Sequence, residues 1–105
     1  AWNAEFYAHF SHWYNWGTSF YPTFLLKNFP EDKKEALKLY SQVLDAAVKT
    51  SVENGGVVNE HHGIGLRLGR FVKGAYGEGY ELAQAIKRSL DPNNIMNPGK
   101  LGLGE

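Results

Sequence analysis

The 105-residue sequence predicts an α+β fold, a small antiparallel sheet backed by helices, on three observations. Residues 5–14 alternate, with Phe6, Ala8, Phe10, His12 and Tyr14 set against Tyr7, His9, Ser11 and Trp13. A turn signal, Asn15-Trp16-Gly17, separates them from a second aromatic and β-branched run over 18–27, which makes a β-hairpin the local reading. Two later stretches repeat apolar residues at helical spacing.

In the first strand the alternation sends His9 and His12 to opposite faces. Pro22 interrupts the second strand and has no N–H to donate, so it implies an edge or a bulge that re-aims Tyr21. Asn28-Phe29-Pro30-Glu31-Asp32 then starts a helix over Lys33–Glu53, with proline in its first turn and acids at the positive end of its dipole. Leu37, Tyr40, Leu44, Ala47, Val48 and Ser51 form its apolar stripe, and Lys33, Lys34, Glu35, Lys38 and Asp45 form a solvated face. Asn54-Gly55-Gly56 stops it, and residues 57–61 follow as a short third strand.

That strand runs into Asn59-Glu60-His61-His62-Gly63-Ile64-Gly65, where two of the four histidines stand side by side before two glycines. On a strand, His61 and His62 face opposite ways, so only one of them points into a given pocket. Residues 66–75 form a basic and apolar connector able to hold a short helix, its Arg67, Arg70 and Lys73 reading as surface solubility ahead of anion binding. Gly77 and Gly79 bracket the start of a second helix with the stripe Tyr80, Ala83, Ile86 and Leu90, ended by Asp91-Pro92. The tail after it has no period.

Composition narrows the function. Eleven basic residues balance eleven acidic ones, which leaves no electrostatic footprint for nucleic acid. Cysteine is absent, so thiol catalysis, disulfides and zinc ribbons are excluded. No apolar run approaches the roughly 18 residues of a membrane span. A start without methionine suits a processed product or a fragment. Ten of the fifteen aromatic residues fall in the first 24 positions, more than a small domain buries alone, so part of this surface is expected to meet another segment or a bound ring.

No histidine pair has the i, i+4 spacing of a helical zinc site, no nucleophile elbow is present, and Gly74-Ala75-Tyr76-Gly77-Glu78-Gly79 does not follow a strand as a dinucleotide fingerprint must. The remaining constellation is His12, Tyr21, His61 and His62, meeting where the hairpin and the third strand end. Such groups pass protons to and from a ligand without a metal. A polar strand exit with ordinary histidines is the alternative.

The segment from Asn54 through His61-His62-Gly63-Ile64-Gly65, followed by Ile86-Lys87-Arg88-Ser89-Leu90-Asp91-Pro92 and Asn97-Pro98-Gly99-Lys100, resembles the C-terminal part of FAD-linked oxidases of the vanillyl-alcohol oxidase type. The run His9-Phe10-Ser11-His12-Trp13-Tyr14, with Gly17 and Tyr21, resembles the alkylglycerone-phosphate synthase branch. Two features depart from known branches. Only His12 matches the histidine-pair motif of the metal-dependent 2-hydroxy-acid dehydrogenases, and His61 stands where their glutamate would be, so no tight divalent metal is expected. Where the synthase has three consecutive histidines, Glu60 replaces the first, while the Asn97-Pro98-Gly99-Lys100 tail is similar to the oxidase and dehydrogenase branch.

The resemblance implies residues 1–90 as part of a substrate-side cap domain and 91–105 as a tail returning to an upstream FAD-binding domain. It implies FAD as cofactor in the complete protein and a hydroxy-acid or glycerone-phosphate-like substrate. Tyr21 and His62 would stand at the reacting end of the flavin, oriented by His12 and His61, with Asn97 toward the cofactor. A D-lactate or glycolate type of 2-hydroxy-acid dehydrogenase is the second reading, and a non-catalytic aromatic module binding another protein is the third. A cytoplasmic enzyme is expected, compatible with homo-oligomers and with peripheral membrane attachment.

Overall fold

A computed structural model describes residues 3–59 and 61–104 and bears out the α+β class: one two-stranded antiparallel sheet and three helices. Strand β1 spans Ala4–Tyr14 and β2 spans Gly17–Leu26, joined by the expected turn. Helix α1 covers Lys33–Glu53, α2 Gly69–Tyr76 and α3 Glu78–Leu90, followed by a short 3-10 turn at Lys100–Gly102. The chain divides into two compact units, residues 1–45 and 46–105, with α1 running through the boundary.

The bulge lies at His12 rather than at Pro22. Pro22 pairs regularly with Ala8, as an edge strand permits, whereas the register shifts between Ser11 and Trp13 and leaves His12 as the extra residue at φ 48°. The turn supplies a reason. Neither Asn15 nor Trp16 takes a positive φ, so the loop is not of the primed type that matches strand twist, and a bulge beside it adds the missing twist. The slip also sorts the faces. Phe6 opposes Phe24 and Phe10 opposes Phe20, with ring centroids 5.3 Å apart in each pair, and Trp13 joins them 6.5 Å from Phe10. Were His12 paired in a regular ladder, Phe10 would oppose Tyr21 instead.

The hairpin keeps its large side chains exposed. All four phenylalanines of one face, and Tyr7, Tyr21 and Leu25 of the other, are exposed. Two-stranded hairpins are marginal in water, and exposed apolar patches of this kind drive association. The chain expressed alone should therefore self-associate, giving light scattering that rises with concentration together with binding of a hydrophobic dye. A clean monomer that binds no dye would remove the aromatic surface from the argument.

Helix α1 has the expected bounds, but proline is not in its first turn. Asp32 is its cap, with Oδ1 accepting from the Lys34 and Glu35 amides, both at 3.0 Å, and Pro30 lies ahead of the first turn. Its buried residues are Leu39 and Val48, while Leu37 and Tyr40 of the expected stripe are exposed. Gly55 in the left-handed region ends it, and the Gly56 amide returns to the Ser51 carbonyl at 2.8 Å.

The third strand is not formed: residues 57–59 and 61 are outside regular structure, and Glu60 lies outside the described residues. A strand exists through a ladder, and here the local polar groups bond within the loop instead. Asn59 Nδ2 donates to the Gly63 carbonyl at 2.6 Å, and Gly63 and Gly65 take positive φ, the sharp bend their sequence allows.

In the second unit α3 is turned from its expected face. Tyr80 is buried and Lys87 half-buried, whereas Ile86 and Leu90 are exposed, Leu90 at 77%. The tail explains this orientation. Asp91 is buried and accepts from the Lys87 ammonium, from the Ile95 amide at 3.0 Å and from the Met96 amide at 2.9 Å, while Lys87 also donates to the Met96 carbonyl at 2.5 Å. The Lys87 hydrogen bond, helped by the Met96 and Ile95 amides and opposed by burial, holds the Asp91 carboxyl below the ordinary carboxylate range.

A carboxylate depressed in the folded state contributes fully above its unfolded pKa and loses that contribution as pH falls through its folded value. The tail should thus stay docked at mildly acidic pH and release only below the ordinary carboxylate range. Hydrogen exchange over residues 91–104 against pH reads this directly. Release near neutrality would show that Asp91 does not hold the tail.

Candidate functional site

Within the first unit, the bulge and the register decide what surrounds Tyr21. Tyr21 lies directly across the ladder from His9, on the sheet face that also carries Tyr7, Ser11 and Ser19, and it is 48% exposed. His12 was expected opposite His9, but its bulged backbone brings it beside Ser11, whose Oγ lies 3.0 Å from His12 Nδ1. The face thus carries two phenols, the His9 imidazole and the Ser11 hydroxyl beside His12, with Ser19 buried. His9 is the residue the sequence reading passed over. Counting register back from the turn finds it only once the extra residue at 12 is known.

The far end of the same face is fixed by charge. Glu5 pairs with Lys27 and accepts from the Tyr7 hydroxyl at 2.8 Å. The Lys27 and Tyr7 hydrogen bonds hold the Glu5 carboxyl low, and the bond to Glu5 pushes the Tyr7 phenol up. Tyr7 therefore stays a proton donor to Glu5.

Within the second unit, His61 and His62 are exposed on the loop that replaces the third strand. Their ring centroids lie 4.1 Å apart in an edge-to-face arrangement, so they do not point to opposite faces as a strand would require. Three successive carbonyls of the loop find donors. Gly63 accepts from Asn59 Nδ2, Ile64 from the Leu68 amide at 3.3 Å and Gly65 from the Leu101 amide at 3.1 Å.

Of the four expected residues, His12 and Tyr21 thus lie on the hairpin of the first unit, while His61 and His62 are in contact in the second. Asn97 takes a positive φ, and its carbonyl accepts from the Lys100 amide at 3.2 Å, which folds Asn97-Pro98-Gly99-Lys100 into a turn. Among the described residues no group of three His, Asp or Glu side chains could hold a metal ion. No helix is long and apolar enough to cross a membrane among them either.

Comparison with known proteins places these features in context. The family described as FAD linked oxidases, C-terminal domain, matches residues 4–101. An alkyldihydroxyacetonephosphate synthase of Trypanosoma brucei brucei is 36% identical over 100 residues, which are 94% of this chain and 16% of that protein. A D-lactate dehydrogenase of Archaeoglobus fulgidus is 36% identical over 64 residues, 61% of this chain and 14% of that protein. A D-2-hydroxyglutarate dehydrogenase of Haemophilus influenzae is 35% identical over 68 residues, 65% of this chain and 7% of that protein. The chain thus spans less than a fifth of the length of each. No solved structure matches significantly.

Proposed function

The chain belongs to the FAD-linked oxidase C-terminal domain family, and from that premise we propose that it is the substrate-side part of an FAD-dependent enzyme acting on a hydroxy-acid or glycerone-phosphate-like molecule. Residues 1–90 belong to the cap over the substrate, and 91–105 form the tail that returns toward an FAD-binding domain upstream. The observation that carries this reading is the family match along 4–101, which includes both the Tyr21 face and the His61-His62 loop.

The residues present fit a cofactor addressed from outside the chain. Tyr21, His61 and His62 are exposed on an open face and a loop, where groups meant to reach a ring held by another domain would stand. FAD, when bound, supplies the acceptor for the substrate's electrons. His62 takes or returns the substrate proton, since an imidazole with an ordinary pKa of about 6.5 is better poised for this near neutrality than a phenol at about 10. Tyr21 donates a hydrogen bond to the substrate oxygen, and His12 and His61 orient the two. Asn97 stands toward the cofactor on the tail turn. The compartment is cytoplasmic.

A 2-hydroxy-acid dehydrogenase is the second reading, favoured by the likeness to the D-lactate dehydrogenase and by the Asn97-Pro98-Gly99-Lys100 turn. One experiment separates the two. The complete polypeptide carrying this chain should purify yellow; anaerobic 2-hydroxy acid bleaches the flavin of a dehydrogenase, whereas a glycerone-phosphate ester is turned over by a synthase with no net bleaching. A colourless protein that takes up no FAD would leave only the aromatic protein-binding module.

A further inference from the structure

The His61-His62 loop is held from behind by a part of the chain that has no catalytic group of its own. Its last carbonyl, Gly65, accepts from the Leu101 amide at 3.1 Å. Leu101 belongs to the 3-10 turn, whose next residue, Gly102, is packed against the start of α2: a Cβ on Gly69 would stand 2.7 Å from the Gly102 nitrogen. The carbonyl of Gly102 in turn accepts from the Tyr80 hydroxyl at 2.5 Å, and Gln84 Nε2 donates to the same hydroxyl at 3.1 Å. Tyr80 is among the few buried large side chains of this unit, at 9% exposure.

These contacts form one contiguous path from α3 through the tail to the loop: Gln84, Tyr80, Gly102, Leu101, Gly65. Each step is a hydrogen bond or a backbone contact. A loop with two positive-φ glycines has little stiffness of its own, so the fixed end of the path decides where its histidines stand.

We infer that Tyr80 is a positioning residue for His61 and His62, acting through the Gly102 carbonyl and the tail turn on the carbonyl of Gly65. This rests on the reading of His62 as the proton-transfer group. It assigns to the tail a second task, setting the proton-transfer loop, besides any contact with the flavin domain.

The test uses the complete enzyme and Tyr80→Phe, which removes one hydroxyl and leaves the buried ring. Backbone hydrogen exchange should rise over residues 61–66 and 100–103 while the hairpin at 4–26 is unchanged. Turnover should fall about tenfold with KM nearly unmoved, since the substrate-binding groups remain but the proton-transfer geometry loosens. In a His62→Ala background the same change should cost almost nothing further, because a residue that acts through His62 has nothing left to position. Gly102→Ala serves as the stronger perturbation, and Tyr80→Phe keeps the test valid where that variant does not fold. Unchanged exchange over 61–66 overturns the inference, as does a Tyr80→Phe loss that multiplies fully with that of His62→Ala. Near-normal turnover in His62→Ala alone would instead refute the reading on which the inference stands.

Discussion

Replacing His62 by alanine in the complete enzyme should lower turnover by roughly 100-fold or more, the usual scale for a positioned proton-transfer group, and leave FAD content unchanged. The expectation rests on where the ring stands. His62 is exposed on a loop whose three carbonyls are each bonded, and the His61 ring meets it edge to face at 4.1 Å, so the imidazole is held without being enclosed. Tyr21→Phe should cost a similar factor for a different reason. It keeps the ring on the sheet face opposite His9 and removes only the hydroxyl that would donate to the substrate oxygen. His61→Ala should fall between these and the intact enzyme, since it removes the neighbour and keeps the acting ring. Steady-state rates with saturating substrate decide all three. Near-normal turnover in both His62→Ala and Tyr21→Phe would leave the histidine loop as an ordinary surface turn.

The largest expected stability effect comes from a single methyl group on α2. A Cβ at Gly69 would meet the Gly102 nitrogen at 2.7 Å, a backbone atom that no side-chain rotation can move aside. Gly69→Ala should therefore destabilise the second unit by about 1–3 kcal/mol, the range for forcing volume into a packed contact. Gly102→Ala should be at least as damaging, because its Cβ would meet the Gly69 carbonyl oxygen at 2.7 Å and its φ of 68° disfavours any side chain. Gly74, on the same helix, has nothing within 4 Å of its missing Cβ. Gly74→Ala should stabilise by about 0.5–1 kcal/mol through helix propensity alone. Denaturant titration of the three variants gives opposite signs on one helix. Equal effects at Gly69 and Gly74 would mean that the tail does not rest against α2.

How far the sequence reached can be judged residue by residue. The hairpin was legible because alternation and a turn signal are local, and so was the end of α1 at Gly55, where a left-handed residue is needed. The family was legible from the motifs around His61-His62 and Asn97-Pro98-Gly99-Lys100, as the match along 4–101 shows. The strand at 57–61 was misread because two valines and an alternating pair carry strand propensity, yet among the described residues only β1 and β2 pair into a ladder. The inner face of α3 was misread because periodicity assumes that apolar means inside. Here Asp91 and Lys87, a charged pair with its backbone partners, take the inside position, and Leu90 is left outside. The bulge at His12 gave no signal at all: Phe10, His12 and Tyr14 keep the period straight through it.

That bulge makes it matter more whether position 12 is paired than which residue stands there. Any side chain tolerant of a positive φ could replace His12 and leave every pair upstream in place. Drawing His12 into the ladder would do the reverse. With no residue left out, the register upstream would slip by one, each residue of β2 would change parity against β1, Tyr21 would exchange His9 for Phe10, and the phenylalanine face would be split between the two sides of the sheet. Deleting position 12 itself would instead keep every pair, since the residue removed has no partner across the ladder.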